Sequence, residues 1–338
     1  MIKQANNLVF EGGGILGISY LGALDFLMQN GWLRNIKRVA GTSAGAITAC
    51  VTSFQLPFTE MKSIADSLDY SKLPSKSAID NLDFIPEDVK KTINDLFGDI
   101  NCIFRLLKQY GWFSTEFFYL WMKDVIADQF DPTKKQPPYT FSDFKDASLH
   151  KNNRPFYDLY IVGTNLSMKN SSAFSFETTP RMEVAEAVRI SMSIPLFFEA
   201  VITDDSEISG NSMSNVFCDG GAMKNYPLNL FDSPRYNPYL FYGVNMDTLG
   251  VRFRNTMKYA PIDNLLAYIE SLQHLSSYIQ HEIYESNPLN KERSIVIDTY
   301  DVSPLDFNIN VNDDTYRFLY HQGYTAAKAY FNGSNKVG

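Results

Sequence analysis

Near its start the chain twice repeats one pattern: an apolar stretch, a glycine-framed turn, then a helix. Leu8-Val9-Phe10 leads into Gly12-Gly13-Gly14-Ile15-Leu16-Gly17, after which Ile18, Leu21, Leu24, Leu27 and Met28 recur at helical spacing until Asn30-Gly31. Arg38-Val39-Ala40 then leads into Gly41-Thr42-Ser43-Ala44-Gly45, and small residues continue as a helix over 46–54. A strand-helix-strand-helix start implies a parallel sheet, because parallel neighbours need a crossover and a helix is the usual one. Further strands are expected at 159–163, 173–176, 216–218, 240–244 and 295–297, and helices at 184–191, 262–284 and 313–330. The polar run 204–215 reads as a surface loop. Between 57 and 130 strand signals fade into aromatic-rich helical sequence, with Ser114-Thr115-Glu116 as a helix start. The expectation is one domain over 1–338, a three-layer α/β/α fold with a mainly parallel central sheet and a helical insertion at about 57–130.

The two turns carry chemistry as well as topology. In Gly41-Thr42-Ser43-Ala44-Gly45 a serine sits where a strand turns sharply into a helix, which strains its backbone and demands small neighbours two positions away. The helix that follows points amide N–H groups and a positive dipole end at the serine oxygen. Gly12, Gly14 and Gly17 also satisfy the dinucleotide pattern GxGxxG, but that fold wants an acid at the end of the second strand, where Gly41-Thr42-Ser43 stands instead. The alternatives are an oxyanion loop, with amides of Gly13 and Gly14 facing a tetrahedral intermediate, or a tight turn with no ligand. Asp219 follows Val216-Phe217-Cys218 and precedes Gly220-Gly221, so its carboxylate is expected at a strand's C-terminal end, where sites of parallel α/β sheets collect. Alone, Asp-Gly-Gly is a turn; in this company it is a candidate base.

These segments resemble the patatin-like phospholipase family, whose members carry a GGGxxG oxyanion loop, a GxSxG nucleophile and a later DGG or DGA with the catalytic aspartate. All three match in family order. The stretch Arg189 to Phe198 looks like the family's helix and Ser/Ala-rich turn, and the likeness runs from Asn7 to about Phe331. The resemblance implies Ser43 and Asp219 as a catalytic dyad and Gly12, Gly13 and Gly14 as the oxyanion hole. Gly17, Gly41, Gly45, Gly220 and Gly221 would shape the turns. It also implies hydrolysis of phospholipid or lysophospholipid esters through an acyl-enzyme, with no metal or other cofactor. Family members include membrane-attacking effectors switched on by a partner or signal, so an activating partner is an alternative expectation. Leu16 departs from the pattern, since many members have Lys or Arg there to support the loop.

A conventional serine, acid and histidine arrangement would need one of His274, His281 or His321. All three fall in long amphipathic helices, where a polar face or a packing role is the simpler reading. His150 precedes Asp219 in the chain. The net charge of −8 and the lack of a basic cluster argue against nucleic acid as a partner. Cys50, Cys102 and Cys218 are odd in number and scattered, which suits a reducing compartment. With neither a signal-peptide core nor a membrane span, the chain reads as soluble and cytoplasmic, with leaderless secretion as an effector left open. Contact with a membrane surface would be transient, and the apolar face of Phe113, Phe117, Phe118, Leu120, Trp121, Val125 and Ile126 is either core or a lipid-facing lid.

Overall fold

A computed structural model describes residues 5–76, 91, 99–204, 206–209, 213–254, 259–263 and 265–333. The two opening units form as expected. Strand β1 (Asn7–Phe10) passes through a 3-10 turn into α1 (Ile18–Gln29), and β2 (Arg38–Thr42) passes through Ser43 into α2 (Ala44–Ser53). Next come α3 (Phe58–Asp66), α4 (Ile100–Gln109), strand β3 (Gly111–Phe113) and α5 (Glu116–Ala127). The chain continues through β4 (Asp158–Asn165), β5 (Asn170–Ser175), α6 (Val184–Met192), β6 (Leu196–Phe198), β7 (Val201–Thr203) and β8 (Asn215–Asp219). It ends with α7 (Gly221–Lys224), β9 (Thr248–Phe253), α8 (Leu265–Glu285), β10 (Ser294–Ile297) and α9 (Asp314–Phe331).

Eight strands make one sheet, hydrogen-bonded along the path β10-β9-β1-β2-β4-β8-β7 with β5 also on β4. From β10 to β4 every pairing is parallel; β5, β8 and β7 join antiparallel. Alternate side chains of β1 serve two layers, as strand geometry requires. Leu8 and Phe10 join the large cluster under α1, α2, α6 and α9, whereas Val9 joins Ala40, Tyr160, Tyr226, Leu228 and Phe231 on the other face. The result is a three-layer α/β/α fold with a mainly parallel sheet.

One expected strand is corrected. Residues 240–244 are not a strand: Tyr242 and Gly243 take positive φ, and only an isolated bridge joins Phe241 to Val244. The strand here is β9, whose apolar run is broken in sequence by Gly250 and Arg252 although every residue is buried. A side chain at 250 would collide with the Tyr226 hydroxyl, and Arg252 finds a carboxylate partner in Glu285 at 2.6 Å. Asp219 ends its strand, as expected, and β8 runs antiparallel to β4. Because β5 covers one edge of β4, β2 and β8 share the other edge end to end: Thr42 lies opposite Val162 and Asp219 opposite Gly163.

The region 57–130 supplies helices α3, α4 and α5 but also β3, which pairs in parallel with β6. Residues 77–90 and 92–98 of that region lie outside the described residues. Glu199 ties it to the body, accepting from Ser114 Oγ, Thr115 N–H and Thr115 Oγ1 and pairing with Arg105. Of the face weighed above as core or lid, Phe118, Val125 and Ile126 are buried core, Phe113, Phe117 and Trp121 pack half-buried against it, and Leu120 is exposed. Part of the run expected as a loop over 204–215 is a helical turn, Ser206–Ser209.

Candidate active site

The serine turn is built as its glycines require. Ser43 has φ 53° and ψ −125°, a conformation in which an L-residue is strained. A side chain at Gly41 would meet the Gly45 carbonyl at 2.0 Å, and one at Gly45 would meet the Phe10 carbonyl at 2.5 Å. The strained turn is held by Ser191, whose hydroxyl accepts from the Ser43 N–H at 2.9 Å while donating to the Val162 carbonyl at 2.6 Å. Ser43 is buried at the N-terminal end of α2, a position that favours negative charge on its oxygen.

Asp219 is also buried, and the shared edge of β4 brings it to Ser43. Desolvation pushes its carboxyl up to about 7, against the lowering influence of the Gly221 amide and the Ser43 hydroxyl. The Gly221 N–H reaches Asp219 Oδ1 at 2.5 Å. Gly220 packs against the Val162 carbonyl and Thr42, which closes the joint between β2 and β8. A buried acid near neutrality that shares a cleft with a strained serine can serve as a base at ordinary pH.

The glycine loop divides its tasks. The Gly12 N–H donates to the Asn225 carbonyl at 2.9 Å, so it has no proton left for an oxyanion. This removes Gly12 from the three donors expected. The Ile15 and Leu16 amides are also spent, on the carbonyls of Pro304 and Gly13, whereas those of Gly13 and Gly14 have no protein acceptor among the described residues. Gly14 takes φ 53°, and a side chain there would meet the Pro304 carbonyl at 2.1 Å. Gly17 packs against Ala44, which fixes the loop beside the serine turn. Leu16 is an apolar wall of the cleft.

Sequence reasoning missed the anchor beneath this loop. Glu11 is buried, and its carboxylate accepts from the Phe253 N–H at 2.8 Å, from Asn225 Nδ2 and from His281 Nε2. The other ring nitrogen of His281, Nδ1, faces Arg252 at 3.5 Å, and Arg252 pairs with Glu285. A guanidinium has donors only, so Nδ1 is the acceptor of this contact and Nε2 the donor toward Glu11. His281 therefore clamps Glu11 and has no nitrogen free for Ser43. His274 stands at the cleft rim near Glu270, His321 lies on α9 beside Thr325, and both nitrogens of His150 bond to carbonyls. The signal for the anchor was present as an acid wedged between an apolar strand and three glycines. Its partners lie more than two hundred residues away.

Two variants follow from this. His281→Ala is expected to cost about 1–3 kcal/mol of stability by leaving a buried carboxylate short of a donor, and to lower kcat less than about tenfold. His281→Gln, which keeps an N–H donor, should recover much of the melting temperature. Calorimetry and ester kinetics on both variants check this, and a loss of kcat as severe as that of Asp219→Asn would make His281 the base.

Ser43, Asp219 and the Gly12 to Gly14 loop line one cleft. Leu16, Ile194, Phe253 and Leu305 make its apolar walls, and Arg254, Glu270, Gln273, His274 and Ser277 its polar rim. Arg254 pairs with Asp298 at 3.0 Å. Among the described residues no group of three or more His, Cys, Asp or Glu side chains is arranged to hold a metal ion. The profile of the patatin-like phospholipase family matches residues 8–232, two thirds of the chain, a span that holds the glycine loop, the serine turn and Asp219. The chain belongs to this family. Protein R571 of Acanthamoeba polyphaga mimivirus is 26% identical over 342 aligned residues, covering 94% of this chain and 91% of the viral one. The probable lipid hydrolase 463L of Invertebrate iridescent virus 6 is 23% identical, over 68% of this chain and 63% of its own. Among solved structures, VipD from Legionella pneumophila superposes with a TM-score of 0.58 at 19% identity, covering 98% of this chain and 67% of VipD, a likeness of fold.

Proposed function

We propose that this chain hydrolyses carboxylic esters of phospholipids or lysophospholipids through Ser43 and Asp219. The observation that carries the reading is that a strained serine and a buried carboxyl raised to about 7 line one cleft, at strand ends that adjoin along the same edge of β4. Asp219 takes the Ser43 proton as Oγ bonds to the acyl carbon, and the Gly13 and Gly14 amides receive the oxyanion. The carbon–oxygen bond to the alcohol breaks, and the alcohol leaves with the proton from Asp219. Water then gives a proton to Asp219 and its oxygen to the acyl carbon, Ser43 regains its proton, and the fatty acid departs. Family membership and the likeness to a probable viral lipid hydrolase support the substrate class. Release of fatty acid from phospholipid or lysophospholipid vesicles by the wild type, absent with Ser43→Ala, tests it; no release of fatty acid from either lipid would count against it.

A bilayer contact belongs to the same reading, but not on α5. Helix α8 faces the cleft with Glu270, Gln273, His274, Ser277 and His281, and turns Tyr268, Leu272, Leu275, Ile279 and Ile283 to solvent on the opposite side. Leu275 and Ile279 are each 60% exposed. The helix carries no Lys or Arg, and no helix among the described residues is long and apolar enough to cross a membrane. An in-plane helix of this kind seats its apolar face at the head-group boundary, here with the cleft on its reverse side. Replacing both Leu275 and Ile279 by Asp is expected to weaken binding to zwitterionic vesicles about tenfold or more, with little dependence on salt. Co-sedimentation measures this, and unchanged binding would remove α8 as the contact.

A further inference from the structure

Beside the catalytic cleft lies a second cavity that the reaction above leaves unassigned. It sits between α1, α2, α3 and α5, with Ile18, Leu21, Ile47, Met61, Leu68 and Trp121 among its walls. The polar side chains of its lining are already satisfied. Thr48 donates to the Ala44 carbonyl at 3.0 Å, Tyr70 to the Ala65 carbonyl at 3.3 Å, and Trp121 Nε1 to Ser67 Oγ at 3.0 Å. Walls whose side chains offer no free donor or acceptor give water few partners and suit hydrocarbon.

The position of this cavity is informative. Gly14, one of the two unspent amides, borders both cavities, and Ala44, the residue after the nucleophile, forms part of the second. An ester carbonyl held between Ser43 and the glycine loop carries two substituents of opposite character, a hydrocarbon chain and an alcohol oxygen bearing the rest of the lipid. The two cavities differ in the same way. The cleft is rimmed by Arg254, Glu270, Gln273 and His274, which can hydrogen-bond a glycerol or head group, whereas the neighbouring space is walled by hydrocarbon.

Resting on the catalytic reading above, we propose that the cavity between α1, α2, α3 and α5 is the acyl-chain pocket, receiving the fatty chain while the alcohol half stays in the cleft. Its depth then sets the preferred chain length, and Ala65 and Ile47, half-buried on opposite walls, are the positions from which it can be filled.

The test compares Ala65→Phe and Ile47→Phe with the wild type, keeping whichever variants retain a cooperative melting transition. The ratio of kcat/KM for p-nitrophenyl laurate to that for the butyrate is expected to fall about tenfold in a filled pocket. Dibromostearate, whose bromines quench nearby indole emission, reads occupancy without turnover. It should quench the wild type strongly, Trp121→Phe far less, and the filled variants only at higher concentration. An unchanged ester ratio with unchanged quenching would overturn the pocket. Quenching at Trp121 that the filling variants weaken, with neither ester hydrolysed, would support the pocket and overturn the catalytic reading instead.

Discussion

Ser43→Ala is expected to lower kcat/KM for a lipid ester by about a thousandfold or more. Oγ is the only atom removed, and it is the atom proposed to bond to the acyl carbon. The rest of the site should survive. Alanine keeps the Cβ and hence the same backbone preferences at φ 53°, and the Ser43 N–H bond to Ser191 uses the main chain only. Any residual rate would come from substrate held against the Gly13 and Gly14 amides. The measurement is steady-state hydrolysis by purified wild type and variant with matched melting curves. A loss of less than about tenfold would mean that hydrolysis does not pass through an acyl-enzyme on this residue.

Asp219→Asn is expected to approach the same severity, because an amide cannot take the serine proton. It also carries two signatures in pH that a structural role would not produce. In the wild type, kcat/KM should rise as pH climbs through about 7, where burial places the ionisation of Asp219. The variant's residual activity should lack that rise. Stability should run the other way. A carboxyl raised above its unfolded value near 3.9 adds stability that is complete at acid pH and is lost as pH rises through the folded value near 7. Relative to wild type, Asp219→Asn should therefore gain melting temperature between about pH 5 and about pH 8. Parallel calorimetry over that range checks the sign, and a variant that falls further behind as pH rises would mean that the carboxylate stabilises the fold in its ionised form.

The beginning of the fold was legible because its determinants are local. The first two strand-turn-helix units announce themselves through helical spacing and through glycines that space alone requires, as the collisions at Gly41 and Gly45 show. What escaped was set by distant partners. β9 contains an arginine and a glycine, each acceptable only because Glu285 and Tyr226 happen to lie against them. The antiparallel course of β8 is a matter of which edge of β4 remained free. Asp219 could be picked out by its glycines, yet its meeting with Ser43 depends on a register that no local pattern encodes. Glu11, Ser191, Asn225 and His281 serve the site through bonds across long sequence separations. The histidine, in particular, is better explained by its carboxylate partner than by its place on an amphipathic helix.

The pairing of residue 43 with residue 219 is tested most directly by a fluorophosphonate, which reacts with an activated serine and leaves a covalent mass tag. The expected result is one adduct on the peptide bearing Ser43, formed at a rate that follows a single ionisation near 7, lost in Ser43→Ala and strongly slowed in Asp219→Asn. An adduct on another serine, or labelling of Ser43 at full rate without the Asp219 carboxylate, would contradict the dyad.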